Sequence, residues 1–133
     1  MNDVNLLEQP FVPCNPLETS LLMANNGHLS VAEFLRVLLT SEVTVPSATE
    51  VSSEDGSMQP LFFKKGQGFM LAVFTHLERA KKFPEAKSFA NMKGTALLRA
   101  LPSEYGIVIN PGFSVGLDIS AEGIRDIVRD FGG

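Results

Sequence analysis

The sequence predicts an α+β (α/β-like) fold, a mixed sheet of about five strands covered by helices. It opens with a helical hairpin and closes with a C-terminal helix. Three observations predict this. Two capped segments with helical apolar spacing stand near the N-terminus. Short apolar runs, such as Phe69 to Phe74 and Ile107 to Ile109, have the length of buried strands. A clean helical stripe stands near the chain's end.

The first helix starts at Asn15-Pro16. Asn15 can accept from an orphan backbone N–H, and Pro16 lacks the N–H that a first helical residue would leave unpaired. Glu18, three residues on, is placed to complete a capping box. Leu17, Leu21 and Ala24 share one face, and Asn26-Gly27 ends the helix. Ser30 and Glu33 form the start of a second helix, with Val31, Phe34, Leu35 and Leu38 on its stripe.

Glu42 to Val45 alternates polar and apolar residues, as a half-buried strand does, and Pro46 is expected to limit it. Ser47 to Ser57 is rich in Ser, Glu, Asp and Gly and reads as an exposed loop. Pro60 to Lys65 and Phe69 to Thr75 read as a hairpin around Gly66-Gln67-Gly68. The second strand is apolar on both faces and belongs in the middle of a covered sheet. Thr75 and Glu78 suggest a helix start, with Pro84 as its stop. Lys87 to Met92 is ambiguous between strand and coil. Thr95 to Leu101 is a short helix, Ile107 to Ile109 a strand, and Asn110-Pro111-Gly112 a turn. Gly116 to Ile119 reads as the last strand. Ser120 caps a final helix striped by Ile124, Ile127, Val128 and Phe131.

The 133 residues, 44% hydrophobic and 20% charged, suit a single domain over 1–133, with 1–13 a loose lead-in. Disorder is excluded by the apolar content and the net charge of only −4. The apolar runs fall far short of the ~20 residues of a membrane helix. The lone Cys14 excludes an intrachain disulfide and fits a reducing, cytoplasmic setting. Charge is segregated. Met1 to Gly56 holds eight acids and only Arg36 as a base, whereas Lys64 to Arg99 holds eight bases against Glu78 and Glu85. From Ala100 onward, two bases face five acids.

Catalytic chemistry finds little purchase. Cys14 precedes a helix N-terminus, where a thiolate is favoured, but neither His28 nor His76 stands in a motif with it. Gly66-Gln67-Gly68 lacks the third glycine and following helix of a dinucleotide loop. There is no nucleophile elbow, Walker loop or His-Glu-x-x-His. No catalytic residue, cofactor or metal is therefore expected. The basic residues Arg79, Lys81, Lys82, Lys87 and Lys93 lack interleaved Tyr or Trp, so a nucleic acid is a poor partner. A protein partner fits the segregated charge better, self-association being one form of it.

Three segments together resemble the N-terminal domain of the SseB family (enhanced serine sensitivity proteins) of bacteria. They are Asn15-Pro16-Leu17-Glu18 through Leu38-Leu39 into Glu42-Val43-Thr44-Val45-Pro46, then Val73-Phe74-Thr75-His76-Leu77-Glu78-Arg79-Ala80, and Gly106-Ile107-Val108-Ile109-Asn110-Pro111-Gly112 with Gly116-Leu117 and the last helix. The resemblance implies an α/β domain without established catalytic residues. Longer members carry a further C-terminal domain, so this chain looks like a stand-alone copy. Thr75, His76, Arg79, Asn110, Pro111 and Gly112 are the candidate partner- or ligand-binding residues, because strand C-termini are where open α/β sheets shape a crevice. The expected function is non-enzymatic binding of a partner protein, in one version as an immunity-type inhibitor whose acidic first part covers a basic toxin. The alternative is a small-molecule sensor or an enzyme using the crevice.

Overall fold

Asn15 begins the first helix as its chemistry requires, accepting the Glu18 N–H at 2.8 Å ahead of α1 (Pro16–Asn25). The Ser30–Glu33 capping box closes in both directions at the start of α2 (Val31–Thr40). A computed structural model of the chain describes residues 11–47, 61–65 and 68–130. The expected loop at 47–57 and the Gly66-Gln67 turn lie almost wholly outside these residues, as does Phe131.

The remaining elements are β1 (Glu42–Ser47), β2 (Phe62–Lys65), β3 (Gly68–Val73), α3 (Leu77–Ala80), β4 (Ser88–Lys93), α4 (Gly94–Ala100), β5 (Tyr105–Ile109), β6 (Leu117–Ile119) and α5 (Ala121–Asp130). The α+β class holds. The described strands number six, because the ambiguous segment before α4 forms β4. They make two ladders instead of one sheet. One has the order β2-β3-β5-β6, and the other pairs β1 with β4. In the larger sheet β3 and β5 are parallel, and the outer pairs are antiparallel. Among the described residues, no helix is long and apolar enough to cross a membrane.

A reciprocal backbone pair joins the ladders. Thr44 donates to the Phe74 carbonyl at 2.9 Å, and Phe74 donates back at 2.8 Å. This geometry also explains why β1 runs through Pro46, which was expected to limit it. Thr44 turns its N–H and C=O away from β4, so Pro46, two residues on, does the same. Its missing N–H is not needed by the β1–β4 ladder, and its carbonyl accepts from Leu61 at 3.2 Å.

Alternation along β3 divides the interior. Leu71 and Val73 join Ile107, Ile109 and Ile119 beneath α1, α2, α4 and α5, in a core with Leu21, Phe34, Leu35 and Leu38. Ala72, with Phe74 beyond the strand end, faces the other way, onto Ala80, Phe83, Phe89 and Phe113. Gly94 brings α4 against the Leu38 backbone of α2, where a Cβ would overlap the Leu38 carbonyl.

Candidate functional site

Where β3, β5 and the start of α1 converge, the chain buries a charge. Glu18 is 0% exposed although it lies in the first turn of a helix near the chain's edge. Its Oε2 accepts from Thr75 Oγ1 at 2.6 Å and from Arg79 Nε at 2.9 Å. Its Oε1 accepts from Arg79 Nη2 at 2.9 Å, from the Cys14 N–H at 3.0 Å and from Cys14 Sγ at 3.2 Å. The guanidinium therefore grips the carboxylate with both arms of its fork.

Each partner is fixed in turn. Thr75 follows β3, and its N–H donates to Asn110 Oδ1 at 3.0 Å. Asn110 Nδ2 donates back to Thr75 Oγ1 at 2.9 Å, and Asn15 Nδ2 donates to the Thr75 carbonyl at 3.0 Å. Asn110 ends β5 at φ 55°, in the left-handed region that Asn tolerates better than most residues. Arg79 Nη2 also donates to the Val12 carbonyl at 2.7 Å. Its guanidinium lies 4.1 Å from the Phe11 ring centroid and 5.5 Å from that of Phe113. The expected lead-in thus ends in a segment anchored by Arg79.

The structure brings Thr75, Arg79 and Asn110 of the six candidates into one cluster. His76 stands beside it with a different task. Thr75 was expected to cap the helix, but His76 is the N-cap of α3, and its Nδ1 accepts the Glu78 N–H at 3.0 Å. The Thr75 hydroxyl is turned inward to Glu18 instead. Pro111 and Gly112 lie one step further, in the turn after Asn110. They help line a hollow of about 290 Å³ with Phe63, Lys82, Phe83 and Phe113. A second hollow of about 270 Å³ is lined by Cys14, His76, Glu78, Arg79 and Lys82. Sequence reasoning missed Glu18, Asn15 and Phe11 as members of the cluster. The available signal was Glu18 itself, a carboxylate three residues before Leu21 on an apolar helix face.

A family model described as SseB protein N-terminal domain matches residues 18–126. The chain belongs to the SseB N-terminal domain family. Searches of curated proteins and of solved structures find no match. The matched span of this SseB domain begins at Glu18 and contains Thr75, Arg79 and Asn110.

Electrostatics show what the cluster can do. Burial pushes the Glu18 carboxyl up, but hydrogen bonds from Arg79, Thr75 and Cys14 outweigh it and hold the group at about 2. The bond to Glu18 raises Arg79 further. Partial desolvation, the hydrogen bond to Glu18 and the carboxylate's charge push the Cys14 thiol up, so the thiolate expected at a helix start is disfavoured. A carboxylate this acidic is a poor proton donor or acceptor near neutral pH. Among the described residues, no buried side-chain nitrogen or oxygen lacks a partner, and no three His, Cys, Asp or Glu side chains converge as metal ligands. The SseB cluster is a closed clasp that ties the start of α1 to the ends of β3 and β5.

Replacing Asn110 separates conformation from hydrogen bonding. Asn110→Gly keeps the left-handed backbone easily but removes both side-chain bonds to Thr75, for an expected loss of about 2 kcal/mol. Asn110→Ala adds the cost of a Cβ at that φ, roughly 1 kcal/mol more. Urea unfolding followed by circular dichroism measures both. Equal losses would show that the backbone is not strained there.

Proposed function

We propose that this SseB domain is a non-enzymatic bacterial protein-interaction domain that works in the cytoplasm by binding a partner protein. The observation that carries the reading is the exposed aromatic edge of the larger sheet. Phe62 and Phe69 are each 42% exposed and Phe63 36%, all on the β2–β3 pair. Large apolar side chains grouped at one edge suit a protein contact. The alternative, a ligand crevice at the strand C-termini, is supported less. Thr75 and Asn110 are buried there and spend their side chains on each other and on Glu18.

The charge argument for an immunity-type inhibitor needs one revision. Glu18, counted among the eight acids of the first part, is buried against Arg79 and adds nothing to a surface. Glu33 and Glu42 remain exposed. An inhibitor or regulator of another protein is the finer form of the proposal.

Affinity capture from the native bacterium tests the reading. The expected result is one stoichiometric partner that Phe62→Ser/Phe69→Ser releases. A chain recovered alone at every salt concentration, and stabilised by a metabolite in a thermal-shift screen, would establish the alternative instead.

A further inference from the structure

Away from the clasp, α4 and α5 flank a groove of about 620 Å³. Leu98 and Leu101 on one side and Ile124 on the other give it an apolar floor, and Tyr105 of β5 closes one part. Three of its lining residues are arginines: Arg99, Arg125 and Arg129. None is acidic, although the chain as a whole carries −4. All three arginines are exposed. Arg125 Nη1 donates to the Ser103 carbonyl and Arg129 Nη2 to Asp126, which fixes how the two heads stand.

The aromatic edge continues from this groove. Tyr105 packs against Phe62 with ring centroids 4.8 Å apart, and against Phe69 at 5.5 Å. The apolar floor, the arginines, Phe62 and Phe69 thus share one face.

We propose that the α4–α5 groove docks an acidic amphipathic helix of the partner protein. This rests on the protein-interaction reading and adds to it the site and the partner's chemistry. Charge fixes the sign, since a cationic wall in an acidic protein selects carboxylates. Geometry fixes the form. Arg125 and Arg129 stand four residues apart on α5, a rise of about 6 Å, and match carboxylates one turn apart on a facing helix. Helices line most of the groove, and their backbone groups are committed within them. An extended peptide would lose its own backbone hydrogen bonds there, whereas a helix brings them satisfied and lays its apolar stripe on Leu98, Leu101 and Ile124.

The test uses the full chain and a fluorescein-labelled peptide of about four helical turns, with Leu on one stripe and Glu one turn apart beside it. Fluorescence anisotropy should show saturable binding that weakens with salt. The same peptide with Lys for Glu should not bind. Arg99→Glu and Arg129→Glu, on opposite walls, should each weaken binding at least about tenfold. Both side chains are exposed, so circular dichroism should show the fold retained. Absent binding, or binding that neither variant changes, overturns the proposal. So does binding of phosphatidylglycerol vesicles or of dodecanoate in place of the peptide, lost in the same variants, which would assign the groove to lipid. The two readings fail separately. A captured partner that the Arg99→Glu/Arg129→Glu chain still holds removes the groove and leaves the interaction reading standing. Absence of any partner removes both.

Discussion

Glu18→Gln should destabilise the domain by about 3–5 kcal/mol, the usual cost of removing one member of a buried ion pair. The amide keeps the volume but cannot accept on both sides. Arg79 loses one arm of its fork whichever oxygen is replaced, together with the bond from Thr75 on one side or from Cys14 on the other. Arg79, 19% exposed in its side chain, loses the carboxylate that pairs with its charge. The effect has a pH signature. The carboxyl stands at about 2 in the folded chain, below its ordinary 4.5. Its contribution is therefore complete above about 4.5 and is lost as pH falls through about 2. The stability gap between wild type and Glu18→Gln should shrink steadily across that window. Urea titrations at several pH values measure it, and a gap independent of pH would mean that the carboxylate is not held charged by the fold.

Phe74→Ala is expected to cost about 3–5 kcal/mol, as truncation of a buried aromatic residue does. Phe74 is fully buried at the join of the two ladders. Its ring lies 5.6 Å from that of Phe83 and 6.4 Å from that of Phe113. The cavity would open in the smaller of the two apolar clusters, among Phe83, Phe89 and Phe113. Phe74→Leu should lose clearly less. Equal losses in the two variants, measured by urea unfolding, would argue that the ring contacts, and not the volume filled, carry the effect.

Much of the fold was legible because it rests on local chemistry. The caps at Asn15 and Ser30, the apolar stripe of α2 and the double-sided apolar run of β3 are each set by neighbours within a few residues. The larger surprises come from long-range geometry. Glu18 fits a capping box by spacing, yet its carboxylate is drawn off by Arg79, 61 residues away. Thr75 and His76 are adjacent candidates for one cap. The choice falls to His76 because Glu18 and Asn110 claim the Thr75 hydroxyl. Pro46 stays in a strand because its missing N–H faces away from the partner strand, a matter of phase that spacing alone does not reveal. β4 shows no strong alternation, since Ser88, Phe89 and Ala90 are all only half-buried. The groove arginines escaped notice for a similar reason. Arg99, Arg125 and Arg129 belong to two helices that meet only in the folded chain.

The order of strands along the chain has a consequence for how the molecule can be divided. β1 belongs to the small ladder, β2 and β3 to the large one, β4 to the small one again, and β5 and β6 to the large one. The two ladders are interleaved like the fingers of clasped hands. A cut anywhere between β1 and β5 separates strands that must pair, so no such cut leaves both ladders whole. The two ladders share one stretch of chain, and no single division of it yields two pieces that each carry a finished ladder.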